Sequence, residues 1–370
     1  MELSYWEYKT WLSNVDFTIV GSGIVGLTTA INLKNCFPKA KILVLEKGML
    51  PQGASTKNAG FACFGSASEL LSDLKTHSED ELLKLVRQRW EGIQALRGLI
   101  GDKSLNFEQN GGHELFLEKE TKLFQECKEK LPYLNKLLLP VFKEEAFELN
   151  RNTYNFAGII PSYITQKFEG QIDTGSMMVE LLSIAGKKGI LILNSVNVEG
   201  FLEKEDNVSI KTNQFKFNTQ KLFITTNGFA SQFLNENVKP ARAQVLITKP
   251  ISDLKVKGAF HFDEGYYYLR NIDNRILFGG GRNLDFDTEE TSAFGKTKLI
   301  QEQLEQFLKT VILPNSAFEI EHRWSGIMGV GNQKKPIIKQ MSNNVFCGIR
   351  LGGMGIAIGS LVGKELAELV

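Results

Sequence analysis

The chain has 370 residues, of which 42% are hydrophobic and 23% are charged, and its formal net charge is +1. This composition is typical of a soluble globular protein with about two domains and a sizeable core. The small net charge excludes a strongly basic protein, so we expect neither nucleic acid nor anionic lipid as the main partner.

The first residues and the cysteine pattern indicate a cytoplasmic protein. Residues 1–14 predict a short amphipathic helix rather than a signal peptide, and no apolar run reaches the roughly 20 residues of a membrane span. The four histidines are scattered, so we expect no metal site. The four cysteines lack C-x-x-C spacing, which favours reduced thiols; they are Cys36, Cys63, Cys127 and Cys347.

The stretch from Val15 to Lys47 predicts a nucleotide-binding β-α-β unit. A short apolar strand leads into the G-x-G-x-x-G sequence Gly21–Gly26, a helical pattern follows, and a second apolar strand ends at Glu46. The first glycine permits the turn, the second lets a pyrophosphate approach the backbone, and the third lets the helix pack closely on the strand. The helix N-terminus attracts phosphates, and Glu46 can accept hydrogen bonds from ribose hydroxyls.

The residues after this unit predict a loop, two helical stretches and a strand pair. Met49–Ser68 is rich in small residues, as expected of a loop that is pressed against a ligand. Apolar periodicity predicts helices over Glu69–Ile100 and Lys122–Leu139, and Pro140 is expected to end the second. Between these helices, Phe107–Leu117 predicts two strands joined at a glycine turn.

The second half of the chain predicts a helix, a strand-rich region and a closing helix. Asp173 begins a helical pattern over Gly170–Gly189, with Val179 on its apolar side. Strands are predicted over 190–193, 196–201, 208–212, 221–228, 243–248, 259–262, 265–270, 276–281 and 318–326. Further helices are predicted over 296–311, with Leu299 among its apolar residues, and over about 356–370.

Nucleotide-binding sequence at both ends of the chain, with sheet-forming sequence between, implies two interleaved domains of an α/β fold. We assign residues 1–84, 165–235 and 318–370 to a Rossmann-like nucleotide-binding domain. Residues 85–164 and 236–317 are assigned to a smaller α+β domain, built on a mainly antiparallel sheet, that we expect to bind the substrate.

Four sequence blocks resemble the D-amino-acid oxidase (DAO) family of FAD-dependent oxidoreductases, which includes glycine oxidase and sarcosine oxidase. The resemblance extends from Phe17 to Val370. It implies FAD as cofactor and oxidation of the C–N bond of a small amine or amino acid by hydride transfer to flavin N5. The blocks are Gly21–Gly26 with Glu46, Gly53–Gly60, Thr225–Gly228, and Trp324–Ile337 with Gly348–Gly355.

The resemblance also implies which residues bind FAD. The pyrophosphate is expected at Gly21, Gly23 and Gly26 with the intervening Ile24 and Val25. Reduced flavin carries negative charge, which the N–H groups of a glycine-lined helix N-terminus at residues 352–356 would stabilise. The remaining implied contacts are Glu46, Lys47, Ser55, Thr56, Asn58, Ala59, Gly60, Phe61, Val198, Thr226, Asn227, Gly228, Arg350, Gly352, Gly353, Met354, Gly355 and Ile356.

The sequence departs from the family at three positions that concern the substrate and the flavin linkage. Met328 stands where glycine oxidase has a carboxylate-binding arginine, and Gly353 stands near the position of a second arginine. The cysteine that links the flavin in sarcosine oxidase has no counterpart in residues 327–329. These departures predict non-covalent FAD and argue against a simple glycine or sarcosine oxidase.

Candidate substrate-binding residues lie in and near the strands after Gly265. Alternation places Tyr266, Tyr268 and Arg270 on one face of the sheet. Arginine is suited to binding a substrate carboxylate because its planar fork contacts both oxygens, so Arg270, Arg282 and Arg350 are candidates. The alternative is that these arginines pair with nearby acids and that the tyrosines only pack in the sheet.

The expected partners are a small-molecule substrate and an acceptor, either oxygen or an electron carrier; the sequence does not specify the oligomeric state. One alternative is a 2-hydroxy acid or glycerol-phosphate dehydrogenase on the same fold, which would need a histidine base near the flavin. We expect His113 and His261 to be structural. A tRNA-modifying flavoprotein would need a basic surface, and the intact second domain argues against a non-catalytic flavin-binding module.

Overall fold

Two eight-stranded sheets organise the protein, whose computed structural model describes residues 2–370. The strands are β1 Val15–Val20, β2 Ile42–Leu45, β3 Phe61–Ala62, β4 Gly112–Glu114, β5 Phe147–Arg151, β6 Ser162–Gln166, β7 Gly170–Gln171, β8 Leu191–Leu193, β9 Val198–Glu203, β10 Val208–Thr212, β11 Lys216–Ile224, β12 Lys239–Thr248, β13 Ala259–Phe262, β14 Tyr267–Ile272, β15 Arg275–Gly280, β16 Ile320–Val330, β17 Ile337–Gln340 and β18 Val345–Ile349. The helices are α1 Tyr5–Glu7, α2 Ile24–Cys36, α3 Ala67–Asp73, α4 Glu79–Ile100, α5 Asp102–Leu105, α6 Thr121–Phe142, α7 Thr174–Lys187, α8 Phe286–Glu289, α9 Lys298–Phe307 and α10 Gly355–Ala367.

The first sheet is the predicted nucleotide-binding sheet. Its central order is β17-β18-β11-β1-β2-β8, and β18, β11, β1, β2 and β8 run parallel. Every residue of β2 is buried, which explains its continuous apolar sequence. Because the carboxyl ends of parallel strands lie at one edge, this sheet presents the crevice in which nucleotides bind in such folds.

The second sheet confirms the predicted, mainly antiparallel architecture. Its order is β16-β12-β15-β14-β13-β4-β6-β5, and only the pair β13–β4 is parallel. Helix α9 covers one face through Ile300 and Leu304. The predicted strand pair over Phe107–Leu117 is wrong, since only β4 forms there. Gly111, at φ +84°, bonds to the carbonyl of Glu169 instead of closing a hairpin.

The two sheets exchange elements at places where the predicted domain boundaries differ from the structure. Strand β16 lies within the range 318–370 that we assigned to the nucleotide-binding domain, yet it pairs with β12 in the second sheet. Helix α4 lies mostly in the predicted substrate domain but packs on α10, where Ser360 Oγ donates to the Gly92 carbonyl at 2.6 Å. An alternating or amphipathic pattern identifies an element but not its neighbour.

Helix boundaries account for most of the other differences. The stretch Glu69–Ile100 forms two helices, α3 and α4, because a capping box begins each. Pro140 lies inside α6, which ends two residues later at Phe142. Val179 and Leu299, predicted on apolar faces, are 64% and 52% exposed. The helix predicted over residues 1–14 forms between Tyr5 and Leu12, and Met1 lies outside the described residues.

No helix within residues 2–370 combines the length and the apolar composition that a membrane crossing needs.

A buried ion pair holds the segment after β15 against the second sheet. Arg242 on β12 donates to both carboxylate oxygens of Glu289 at 2.7 and 2.8 Å. Gln244 donates to the same carboxylate at 2.9 Å, and Glu289 is fully buried. These hydrogen bonds hold α8 close to β12. Removal of one partner would leave an uncompensated buried charge.

We expect Glu289→Ala to destabilise the protein by about 3–5 kcal/mol, because Arg242 would remain buried without its partner. The neighbouring Glu290 is the matched control, since it forms an exposed pair with Lys239 at 2.9 Å. Glu290→Ala should cost no more than about 1 kcal/mol. Urea unfolding of both variants measures the difference, and equal costs would contradict the role given to the buried pair.

Candidate active site and cofactor cleft

A single large cavity of about 630 Å³ extends from the carboxyl edge of the parallel sheet to one face of the second sheet. Gly23 and Glu46 line one end, and Tyr266 and Arg282 line the other. Its volume lies within the range of about 300–1,000 Å³ that is usual for cofactor and ligand sites. Most of the predicted nucleotide-binding and substrate-binding residues therefore face one continuous space.

The glycine turn after β1 leaves no room for side chains. A Cβ on Gly26 would lie 1.9 Å from the Gly21 carbonyl oxygen, and Gly21 itself has φ +103°. A Cβ on Gly23 would lie 2.9 Å from Ser55 Oγ. Ser55 Oγ accepts the backbone N–H of Ile24 at 2.9 Å, so its hydroxyl lies at the N-terminus of α2. This arrangement offers N–H and O–H donors to a phosphate.

Glu46 is fixed at the end of β2. Its Oε2 accepts from the N–H and the hydroxyl of Ser22 at 3.1 and 2.8 Å, and its Oε1 accepts from the Gly48 N–H at 3.0 Å. The side chain is buried but lines the cavity. A carboxylate has about four acceptor sites, so Glu46 keeps capacity for a ribose hydroxyl.

The small-residue loop is held rigidly between the two sheets. Asn58 Oδ1 accepts from the Gly60 N–H at 2.7 Å and from Thr174 Oγ1 at 3.0 Å. On the other side, Trp324 Nε1 donates to the Lys57 carbonyl at 2.9 Å. These hydrogen bonds hold the loop so that residues 58–61 line the cavity.

The N-terminus of α10 opens into the same cavity. Residues 351–356 line it, and no side chain caps the helix. The first N–H groups of a helix have no partner within it, so they remain available to a ligand. Asn227 Oδ1 accepts from the Leu351 N–H at 3.1 Å and fixes the approach to the helix. Nearby, the buried Thr226 Oγ1 lines the cavity without a hydrogen-bond partner among the described residues.

Some predicted site residues support the cavity without lining it. Thr56 Oγ1 donates to the Pro51 carbonyl at 2.7 Å. Gly26 and Gly228 pack against neighbouring backbone. Arg350 donates to the carbonyls of Lys335 and Asn237 at 3.0 and 3.1 Å. These contacts hold the loops around the cofactor cleft and do not place Arg350 at a substrate.

Arg270 also does not line the cavity. It lies on the same face as Tyr268, as alternation predicts, but its guanidinium is buried beneath the loop. There Nη1 donates to the carbonyls of Ile172 and Gly60 at 2.6 and 3.2 Å. Burial lowers the pKa of Arg270 to about 10. We therefore describe Arg270 as a residue that positions Gly60, not as a carboxylate ligand.

The far end of the cavity is lined by side chains of the second sheet. Tyr268 packs edge-on to Phe61 with ring centroids 5.6 Å apart, and Tyr266 lies nearer the opening. The guanidinium of Arg282 lies 4.7 Å from the Phe286 ring centroid and forms no ion pair within residues 2–370. Met328 faces the same space. Of the three candidate arginines, only Arg282 faces the cavity.

Several lining residues were not predicted from the sequence, namely Glu69, Arg89, Glu169, His261 and Lys334. Among these residues, only Glu69 belongs to a local sequence motif, the S-x-x-E pattern of Ser66–Glu69, and this motif indicates a helix cap. Glu169 is buried and accepts the N–H groups of residues 64 and 65, and burial raises the pKa of Glu169 to about 7. No group of three or more potential metal ligands occurs in the described chain.

Sequence comparison identifies the family. The profile of the DAO family, described as FAD dependent oxidoreductase, matches residues 16–369. The chain belongs to this family.

Known relatives agree with this assignment at low sequence identity. The chain is 21% identical to the Haemophilus influenzae protein named "Probable oxidoreductase OrdL", over 98% of this chain and 84% of the relative. It is 21% identical to gamma-glutamylputrescine oxidoreductase of Escherichia coli, over 96% and 83%. Glycine oxidase from Geobacillus kaustophilus shares the fold, with TM-score 0.76 and 18% identity over 96% and 94% of the two chains.

The residues of the DAO family cleft fit FAD. The turn at Gly21–Gly26 would hold the pyrophosphate, because Gly21, Gly23 and the start of α2 line the cavity and Gly26 lets α2 pack closely on β1. Glu46 would hold the adenosine ribose, and Val198 lines the cavity beside it. The unpartnered Thr226 hydroxyl and the free N–H groups of α10 lie where a polar cofactor would satisfy them.

Gly26→Ala should abolish stable FAD binding, because its Cβ would collide with the Gly21 carbonyl and push α2 away from β1. The flavin absorbance per protein after purification measures this loss. Gly98→Ala is the control, since a Cβ at this exposed site in α4 meets nothing within 4 Å. That variant should keep its FAD and gain up to about 1 kcal/mol from helix propensity. A fully flavinylated Gly26→Ala protein would contradict the fit.

Glu114 should make stability depend on pH. Burial raises the pKa of Glu114 from 4.5 to about 7. Between these values the folded state keeps a proton that the unfolded state releases, so stability falls as pH rises from about 4.5 to about 7. Glu114→Gln should make this slope shallower in urea unfolding, whereas Glu118→Gln, at an exposed position, should not. An unchanged slope in Glu114→Gln would contradict the prediction.

Proposed function

We propose that this protein oxidises the C–N bond of a small amine or amino acid, using non-covalently bound FAD. When bound, FAD supplies two-electron redox chemistry. The main support for this proposal is that one continuous cavity joins the cofactor cleft to a chamber on the second sheet. Two relatives support the substrate class, since gamma-glutamylputrescine and glycine both contain an amine nitrogen.

The chamber residues would position the substrate and exclude water. Tyr266 and Tyr268 form an aromatic wall, and burial raises the pKa of Tyr268 to about 12, so its hydroxyl stays protonated. The backbone N–H groups at residues 355 and 356 would stabilise negative charge at the cofactor edge of the chamber. Positioning of this kind lowers the barrier by fixing the reacting atoms before the chemistry occurs.

Arg282 is the proposed ligand for a substrate carboxylate. It has no acidic partner in the described structure, and it lines the cavity. Neither Met328 nor Gly353 can perform this role. A planar guanidinium can bind both carboxylate oxygens, which would orient the amine end of an amino acid towards the chamber.

Non-covalent binding of FAD is supported by the state of Cys63, a cysteine that lines the cavity. Its Sγ lies 3.7 Å from Met354 Sδ, and burial strongly raises the pKa of its thiol. A thiol that remains protonated is a poor nucleophile. We therefore expect acid precipitation to release all of the flavin into solution.

Anaerobic mixing of the purified yellow protein with a panel of amines, amino acids, N-methyl amino acids and 2-hydroxy acids tests the proposal. We expect bleaching of the flavin absorbance by at least one member of the amine and amino acid classes. Bleaching by 2-hydroxy acids alone would overturn the amine assignment. A protein that purifies without flavin would overturn the cofactor assignment.

Arg282→Gln separates the two substrate classes within the same panel. If Arg282 binds a carboxylate, the variant should raise KM for amino acids by about tenfold or more, as for the loss of a charge-assisted bond. The KM for amines without a carboxylate should not change. An equal effect on both classes would remove Arg282 from substrate recognition.

A further inference from the structure

A carboxylate and an imidazole line the same cavity, and each keeps one side-chain atom without a hydrogen-bond partner in the described chain. Glu69 lies in the first turn of α3, and His261 lies on β13. Both residues line the cavity. We propose that Glu69 and His261 form a binding subsite for a positively charged amine of the substrate. This inference deepens the proposed function and rests on it.

The helix cap uses only one oxygen of Glu69. Oε2 accepts the Ser66 N–H at 3.1 Å in the capping box, whereas Oε1 has no hydrogen bond within the described chain. A Cβ built on Gly265 would lie 3.4 Å from Oε1, so this oxygen is directed towards the turn between β13 and β14. A cap needs a side-chain acceptor at this position, but it does not need a charge.

Two cations that line the same cavity, Lys334 and Arg89, form no ion pair with Glu69. Lys334 pairs with Asp73 at 2.7 Å. Arg89 donates to the Phe64 carbonyl, and no ion pair between Glu69 and any lysine or arginine occurs in the described residues. A carboxylate that borders an apolar cavity without a counter-ion creates a negative potential there, which favours a cationic ligand.

His261 supplies a neutral acceptor beside this charge. It lies in register between Glu114 on β4 and Tyr268 on β14, so its side chain is on the cavity face of the sheet. Its Nε2 is buried and has no hydrogen-bond partner in the part of the chain that the structure describes. Burial lowers the pKa of His261, and the nearby Glu69 opposes this shift. A neutral imidazole has one acceptor nitrogen for an ammonium N–H.

The groups around Glu69 and His261 suit an ammonium. Tyr266 and Tyr268 line the same chamber, and aromatic rings attract cations. Glu264 lies at the rim and adds negative charge. Arg282 also borders this chamber, so one substrate can place an amine at Glu69 and a carboxylate at Arg282. The predicted substrate class is therefore a protonated amine, with or without a carboxylate at its other end.

Two small ions that share a tert-butyl group and carry opposite charge test the subsite directly. tert-Butylammonium has no hydrogen on the carbon that bears nitrogen, so it cannot be oxidised there, and pivalate is its anionic counterpart. Each is titrated into the FAD-loaded protein while the flavin absorption spectrum is recorded. We expect the wild type to bind both ions. The absence of any change with tert-butylammonium would overturn the proposal.

Glu69→Gln is the decisive variant, because glutamine preserves the capping box and removes only the charge. We expect it to weaken tert-butylammonium binding by about tenfold or more and to leave pivalate binding unchanged. Glu81→Gln makes the same change in the capping box of α4, at an exposed site outside the cavity. It should bind both ions like the wild type.

Equal tert-butylammonium affinity in the wild type and Glu69→Gln would overturn the subsite, as would equal losses in Glu69→Gln and Glu81→Gln. Neither result affects the proposed function, which is tested by flavin bleaching with oxidisable amines. His261→Gln should also weaken the binding of tert-butylammonium and leave the binding of pivalate unchanged, because the glutamine oxygen does not take the place of the imidazole nitrogen. Loss of both ions in that variant would instead assign His261 a purely structural role.

Discussion

The close contact between α2 and the turn after β1 is the constraint on which the site depends. Since a Cβ on Gly26 would lie 1.9 Å from the Gly21 carbonyl, α2 can approach β1 only with glycine there. That approach places the N–H of Ile24 against Ser55 Oγ at 2.9 Å. The small-residue loop then follows a fixed path to the second sheet, where Trp324 holds it. The close packing at Gly26 is thus linked, through Ser55 and the small-residue loop, to the second sheet.

Residues on one face of the second sheet have different roles, because their side chains are buried to different depths. Tyr266, Tyr268 and Arg270 alternate on β14 and the turn before it, and all three side chains face the same way. Arg270 lies deepest and donates to backbone beneath the loop, whereas Tyr266 lies near the opening and is 37% exposed. A position on the cavity face is therefore not sufficient for substrate contact.

The sequence predicted the nucleotide-binding half well because its signals are local. The glycine spacing, the apolar strand and Glu46 lie within one β-α-β unit, so no distant contact was needed to recognise them. The substrate chamber was harder to predict. Alternation gives the face of Arg270 but not its depth, and nothing local shows that Arg350, at φ +63°, turns its side chain towards the carbonyls of two loops. Pro140 signalled a helix end, but it lies within the last turn of α6.

Glu69 shows why a motif with a structural explanation can still conceal a site residue. The S-x-x-E pattern fully explains its presence at the start of α3, and the sequence offers no reason to look further. Only the fold brings its second oxygen to the turn between β13 and β14 and pairs Lys334 with Asp73 instead of Glu69. An uncompensated charge beside an apolar cavity costs stability, and that cost is offset when a ligand of opposite charge binds. Unpaired charges such as Glu69 and Arg282 therefore indicate the substrate better than the paired ones around them.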